Sequence, residues 1–197
     1  SENRFVELNK VKVGKRAISL SKKIDKSKEF CQLILDNSKK IIKIKKGVII
    51  TENRLGIITA NAGIDQSNIN KKDFCLLLPL NPNASARKIS RAIYEETGKK
   101  LGIIITDSVG RPWRHGLTQI SIGSFGISPI KKYKKDLFKN NLYDTEVPIV
   151  DEIASAAGIL MEKDIGIPVV LIKGYNYMKS NKDSNILLRS GENDIFK

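Results

Sequence analysis

The apolar positions of this chain change period repeatedly, and each change marks an element. Residues 4–8, Arg4-Phe5-Val6-Glu7-Leu8, alternate like the end of a strand. Two helices are predicted next, over 14–23 and 26–37. In the second, Phe30, Leu33, Ile34 and Ile41 recur at near-helical spacing, and Asp25 or Ser27 can cap its start. The runs 42–52 and 55–60 are rich in β-branched residues and read as a hairpin around Asn53-Arg54, followed by a polar loop at 61–65. Residues 74–80 form a short apolar strand. Pro82 and Ser85 open a helix that runs to Gly98, the usual proline-early, glycine-late arrangement. The run 101–106 reads as a strand buried on both faces, 107–116 as a loop, and 117–126 as one or two strands. A basic connection over 127–141 precedes a helix at 151–163, a strong strand at 167–174, and a polar tail from 175 whose one apolar patch is 186–188. The sum is an α+β fold around a mixed, partly antiparallel sheet with flanking helices.

Composition narrows the class. The chain has 197 residues and is 41% apolar, enough for one large domain or two small ones that need no disulfides. No run is long enough for a membrane helix, and the start lacks the apolar segment of a signal peptide, so the expected location is the cytoplasm with no membrane partner. Cys31 and Cys75 lie far apart, in apolar stretches, and read as buried thiols. With a single histidine, His115, a multi-histidine zinc site is excluded; any metal must be held by oxygens, which favours magnesium, manganese or calcium. The net charge of +14 has two readings: a lysine-biased composition, because the lysines are spread out, or a groove for a polyanion. Aromatic residues are only 6%, which argues against a base-stacking platform for nucleic acid.

Three constellations can carry chemistry. The first is a strand that ends in Asp107 and runs through Gly110 to Arg111, Trp113 and Arg114. Ligands sit at the C-terminal ends of strands in α/β sheets, an aspartate there can hold a divalent cation, and arginines pair with phosphate or carboxylate oxygens. The second is Glu146 with Asp151 and Glu152 at the head of a helix, either as capping and dipole partners or as metal ligands shared with Asp107. The third is the small and amide-bearing loop Asn61, Gly63, Asp65, Ser67 and Asn68, either a polar turn or a cradle of backbone N–H groups. His115 reads as a bystander and Trp113 as a packing anchor rather than a stacking plate.

In order along the chain, these strings resemble one family. Thr51-Glu52-Asn53-Arg54-Leu55-Gly56 with Asn61-Ala62-Gly63-Ile64-Asp65-Gln66-Ser67-Asn68 is similar to a signature of the coenzyme F420 γ-glutamyl ligases. Leu78-Pro79-Leu80-Asn81-Pro82-Asn83-Ala84-Ser85-Ala86, then Thr106-Asp107-Ser108-Val109-Gly110-Arg111-Pro112-Trp113-Arg114-His115-Gly116 with Ile122-Gly123, resemble the next segments. Thr145-Glu146, Asp151-Glu152-Ile153-Ala154-Ser155-Ala156-Ala157 and Arg189-Ser190-Gly191-Glu192-Asn193-Asp194 resemble the helix and acidic tail that follow.

The resemblance implies a GTP-dependent ligase. It would join the amine of L-glutamate to the carboxylate of a phosphate-bearing deazaflavin through an acyl phosphate. It also implies two magnesium or manganese ions held by Asp107, Asp151 and Glu152, with Glu146 and Glu192 as further candidates, and an intertwined homodimer. Arg111, Arg114, Gly110 and the 61–68 loop would then hold phosphates or substrate carboxylates, with Asp107, Arg111 and Arg114 closest to the chemistry.

Two departures qualify it. Family chains carry an earlier nucleotide-contacting segment, so residues 1–197 are expected to form one N-terminally truncated domain, with a possible sub-boundary near 126–145. Asn81 and Asn83 stand where relatives often carry aspartate. The competing readings are a related ligase with another acceptor, a basic nucleic-acid-binding module, and an inactive remnant.

Overall fold

The computed structural model describes residues 2–189 and Asp194. The chain divides into two compact units, Ser1–Leu80 and Asn81–Lys197, so residues 126–145 lie inside the second unit. The class is α+β. Every strand pairing among the described residues is antiparallel, in four small sheets.

In the first unit, strand β1 (Phe5–Glu7) pairs with β5 (Phe74–Leu76). Helix α1 (Lys15–Ile24) ends at Asp25, which takes a left-handed conformation and so closes α1 rather than capping the next helix. The Ser27 side chain accepts from the Phe30 amide and starts α2 (Lys28–Asp36). The expected strand at 42–52 is two strands, β2 (Ser38–Lys45) and β3 (Val48–Asn53), paired with each other. The chain reverses at Gly47, whose φ of 86° is glycine territory, and again at the expected Asn53-Arg54 turn, across which β3 pairs antiparallel with residues 58–60. Asn53 closes a second turn: its buried carboxamide oxygen accepts from the amides of Leu55 (2.9 Å) and Ile57 (3.1 Å), leading into β4 (Ile58–Ala60). Ala17, Leu20, Ile24, Phe30 and Ile34 from the two helices meet Ile49, Cys75 and Leu77 in one core. Both cysteines are buried free thiols, and burial raises the pKa of each, Cys75 to about 11.

The second unit is organised by helix α3 (Pro82–Thr97) and a long hairpin of β6 (Ile103–Arg111) and β7 (Arg114–Phe125). Residues 107–111, expected in a loop, continue β6, because Asp107, Ser108, Val109 and Gly110 each find a cross-strand partner between Leu117 and Ile120. Pairing overrides a polar, glycine-containing composition that lacks strand propensity of its own. The turn is Pro112-Trp113, with Trp113 at φ 58° and 87% exposed. Trp113 therefore stands at the hairpin tip and is not the packing anchor that its size suggested.

The basic connection contains a second hairpin, β8 (Lys131–Lys135) with β9 (Asn141–Val147). Helix α4 (Ile149–Met161) begins two residues before its expected start. Residues 167–174, read as a final strand from their β-branched content, find no pairing partner among the described residues and form no strand.

Gly123 fixes the packing of α3 on β7. A Cβ at this position would lie 2.4 Å from Pro82 Cβ, 2.5 Å from the Pro82 carbonyl carbon and 2.7 Å from the Asn83 nitrogen. Gly123→Ala is expected to lower stability by at least about 1–3 kcal/mol, because backbone and not a pliable side chain stands in the way. Gly110, with nothing within 4 Å, is the control, and Gly110→Ala should stay within about 0.5 kcal/mol. Urea midpoints for the two variants decide this.

The thiol of Cys75 ionises later in the folded chain than in the unfolded one, from burial first and the Asp65 charge second. The stability it contributes should be intact below its ordinary value of 9.0 and fall as pH rises toward about 11, and native protein at pH 8 should resist thiol labelling until unfolded.

Candidate active site

In the second unit the carboxylates gather around a defect in the β6–β7 ladder. The register runs Ile105↔Gly123 and then Thr106↔Ser121, so Ile122 is an extra, unpaired residue. Such bulges disturb the ladder locally and recur beside active sites. Next to this one, the Ser121 backbone N–H donates to Asp151 Oδ1 at 2.9 Å. Asp107 pairs with Ile120, the neighbour of Ser121.

Helix α4 is held against the hairpin by a polar seam. Ser155 Oγ donates to the Gln119 carbonyl (2.9 Å) and lies 2.9 Å from Thr118 Oγ1, while Gln119 Nε2 donates to Ser108 Oγ (2.9 Å). Lys163 Nζ also donates to Ser108 Oγ. Gly158 completes the seam: a Cβ there would meet Gln119 Cγ at 2.6 Å. Residues 151, 155 and 158 thus share one face of α4, which places Asp151 at the bulge.

Asp151 is partly buried, and burial raises its pKa against the lowering effect of the Ser121 N–H. A half-buried carboxylate with one amide donor is a costly charge unless a cation joins it. Asp107 Oδ1 accepts from the Ser108 amide at 2.8 Å. Ser108 Oγ accepts from Gln119 and Lys163, and side chains alternate along a strand, so Asp107 projects from the face of β6 opposite to Ser108. Glu152 is exposed in the first turn of α4, beside Asp151. Glu146 is elsewhere, on β9, in an ion pair with Lys132 across the β8–β9 hairpin. Glu192 lies outside the described residues. Among the described residues, no group of three or more histidine, cysteine, aspartate or glutamate side chains is arranged to hold a metal. The donors present are hard oxygens in ones and twos, which suits a cation such as magnesium that keeps waters and takes its other ligands from phosphate, and does not suit a closed protein cage.

The tip of the same hairpin is cationic. Arg111 and Arg114 are cross-strand partners on either side of Pro112-Trp113. Arg111 Nη2 donates to the His115 carbonyl at 2.7 Å, and His115 contributes that backbone oxygen. Like charges directly opposite are destabilising, so this pair is held at a cost that an anion would relieve. Gly110 precedes the tip with open space around its Cα.

The 61–68 loop belongs to the first unit, and its residues are largely occupied. Asn61, Ala62 and Gly63 all have positive φ (51°, 58° and 71°), a left-handed turn. Asn61 Oδ1 accepts from the Ile49 amide (3.1 Å), and a Cβ on Gly63 would strike Leu78 Cδ1 at 2.5 Å. Asp65 accepts from both the amide and the hydroxyl of Ser67, an Asx-turn. Asn68 has φ 53°. The nearby cavity of about 30 Å³, between Arg4, Arg54 and Asn53, has room for little more than a water.

Asn83, which stands in the sequence where relatives often carry aspartate, has a structural task. Buried at the start of α3, its Oδ1 accepts from the Ser124 amide (2.8 Å), the Ser184 hydroxyl (3.1 Å) and the Ser184 amide (3.4 Å), while Nδ2 donates to Asn185 Oδ1 (3.2 Å). One side chain ties α3, β7 and the tail together, and the donor to Asn185 is one that aspartate could not supply. Asn81 instead caps α3, its Oδ1 accepting from the Ala84 amide at 3.0 Å.

Comparison with known proteins puts the strings in one register. Residues 1–174 match the family described as F420-0:Gamma-glutamyl ligase. The coenzyme F420:L-glutamate ligase of Methanocaldococcus jannaschii is 45% identical over 199 residues, covering 100% of this chain and 79% of that protein. The proteins of the same name from Methanococcus maripaludis and Methanothermobacter thermautotrophicus are 40% and 36% identical, again over 100% of this chain and 80% of theirs.

Asn83→Ala should cost about 1–3 kcal/mol, the price of stranding buried donors, and Asn83→Asp should recover part of it. Denaturant midpoints order the three proteins, and proteolysis after 180 should rise with the loss.

Proposed function

Because the chain belongs to the F420-0:gamma-glutamyl ligase family, we propose that it joins L-glutamate to a phosphate-bearing deazaflavin, driven by GTP. The observation that carries this reading is the placement of Asp151 at the β6–β7 bulge, on the hairpin whose strand holds Asp107 and whose tip pairs Arg111 with Arg114. Asp107 and the two arginines then share the hairpin, and α4 brings Asp151 to the bulge beside them.

An unactivated carboxylate is a poor electrophile, so one of its oxygens must become a leaving group. In the proposed route the acceptor carboxylate attacks the γ-phosphorus of GTP, giving an acyl phosphate and GDP. The glutamate amine then adds to the acyl carbon, loses its proton and expels inorganic phosphate. Asp107, Asp151 and Glu152 are the proposed ligands of magnesium or manganese, with Glu146 and Glu192 as further candidates. A divalent ion held there would offset phosphate charge. Arg111 and Arg114 take the oxygens of phosphate or substrate carboxylate, bidentately where the plane allows. Gly110, with no side chain beside the tip, leaves room for that approach. The 61–68 loop, through Asn61, Gly63, Asp65, Ser67 and Asn68, is proposed to serve the nucleotide or substrate by shape and backbone, since Asn61 already bonds Ile49 of β3 and Asp65 already bonds Ser67.

We further propose that the working unit is a homodimer. Trp113, Leu137, Phe138 and Tyr143 are between 81% and 90% exposed, and the β-branched run 167–172 lacks a strand partner among the described residues. Large exposed apolar side chains in such number mark an interface. No helix among the described residues is long and apolar enough to cross a membrane.

The test is manganese calorimetry with and without GTP on the wild-type chain, Asp107→Ala and Asp151→Ala. Wild type should bind metal more tightly with GTP present, and each variant should lose at least about tenfold. Equal binding by all three would sink the metal assignment. Ligation of glutamate to the deazaflavin acceptor, followed by mass, is the companion assay.

A further inference from the structure

A cavity of about 410 Å³ in the second unit takes no part in the chemistry above. Arg87 and Arg91 of α3, Lys100 after that helix, and Lys179 line it, and no acidic residue does. The chain has 21 acidic residues, two of them Glu95 and Glu96 on the same helix, so an acid-free wall is not what an even scatter of charge would give. Arg87 and Arg91 are one helical turn apart and share a face. Among the described residues none of these four cations has a carboxylate partner within ion-pair distance. Crowding them together is unfavourable until an anion enters.

Two of the cations are already oriented. The Arg87 guanidinium lies 5.2 Å from the centre of the Phe125 ring, and Lys100 Nζ lies 5.4 Å from that of Tyr94. A guanidinium stacked on an aromatic face keeps its in-plane N–H donors free for an anion. The wall opposite α3 is a strap, residues 177–181, pinned at its start. The Gly102 amide donates to Tyr177 Oη (2.9 Å) and the Ser128 amide to the Met178 carbonyl (2.8 Å). A Cβ on Gly102 would lie 3.0 Å from Ile127 Cβ and 3.3 Å from Tyr177 Cε2, so glycine eases the close approach of Tyr177. Beyond the pins, Ser180 and Asn181 add neutral donors to the rim. The volume is within the range of about 300–1,000 Å³ usual for small organic ligands.

We propose that this cavity is a second anion site, for a small organic polyanion that sets two or more phosphate or carboxylate groups against the four cations and an apolar or planar body against Tyr94, Phe125 and Tyr177. It is separate from Asp107, Asp151 and Glu152, none of which lines it. The proposal does not depend on the metal assignment. The same anionic chemistry has two sources, a chain of phosphates or a chain of γ-linked glutamates, and probes separate them.

Calorimetry with inorganic tripolyphosphate, and separately with γ-glutamylglutamate, should be run in chelator so that no divalent ion is present. The proteins are the wild type, Arg91→Ala with Lys179→Ala, and Asp107→Ala. Arg91 and Lys179 make no stacking contact, so their removal spares the packing, and an unchanged melting temperature checks this. The wild type should bind one equivalent of at least one probe, more weakly at higher salt. The double variant should bind at least about tenfold more weakly, and Asp107→Ala should bind as the wild type does. Tripolyphosphate alone binding assigns a phosphate ligand, and the dipeptide alone assigns a glutamyl chain. No saturable binding of either probe, or equal binding by the double variant, overturns the site. A loss that follows Asp107→Ala instead would overturn its separateness.

Discussion

The contact between Gly123 and the first residues of α3 is the constraint on which the second unit rests. At a separation where a single methyl group would strike the Pro82 carbonyl carbon, the helix start lies directly on β7. That closeness lets the short Asn83 side chain reach the Ser124 amide, and through Ser184 and Asn185 it holds the tail. A helix standing off by the usual side-chain thickness could not use an asparagine this way. The result is a hairpin whose base is clamped and whose tip, at Trp113, is exposed.

The bulge at Ile122 lies beside the clamp, and this adjacency has a physical logic. A strand that bends to meet a helix on one face needs an extra residue, and the bulge provides it. At the bend, the Ser121 amide serves Asp151, which the Ser155 and Gly158 face of α4 delivers to it. The stabilising interactions are a glycine contact, a buried carboxamide and a seam of hydroxyls. The strained ones are a half-buried carboxylate and two arginines opposite each other. Sites that bind charged ligands are often built so, with rigid packing holding groups that would otherwise separate.

How much of this the sequence announced depends on the range of the forces involved. Local signals were legible: the Ser27 cap, the Pro82 start and Gly98 end of α3, the apolar face of α2, and the buried thiols. Signals that depend on a partner were not. Residues 107–111 looked like a loop because their own composition is polar, yet partners on β7 make them a strand. Residues 167–174 looked like a strand because they are β-branched, yet no strand pairs with them among the described residues. Of the site, the motif residues Asp107, Asp151 and Arg111 were visible as types, and the grouping of Asp151 with Ser121 was not. Asn83 was read as a missing charge, when its amide nitrogen is the feature that the fold uses. The arginine pair at 87 and 91 was lost in a lysine-rich background, because only folding brings Lys100 and Lys179 to it.

The net charge of +14 can now be resolved into parts. Many lysines are solitary and solvated, and they support the reading of a biased composition. Arg111 faces Arg114 across a two-residue turn, and Arg87, Arg91, Lys100 and Lys179 share an acid-free cavity. These clusters do not follow from bias alone, since a lysine-biased chain gains most by spreading its charge. Arginine, and not lysine, stands at both centres, where a planar donor fork matters more than charge itself. The aromatic residues beside the cavity are too few to stack a strand of nucleic acid, but they suffice for one planar or apolar body. The basic character of this chain therefore divides into scattered lysines that follow composition and two local clusters that fit the anion sites proposed above.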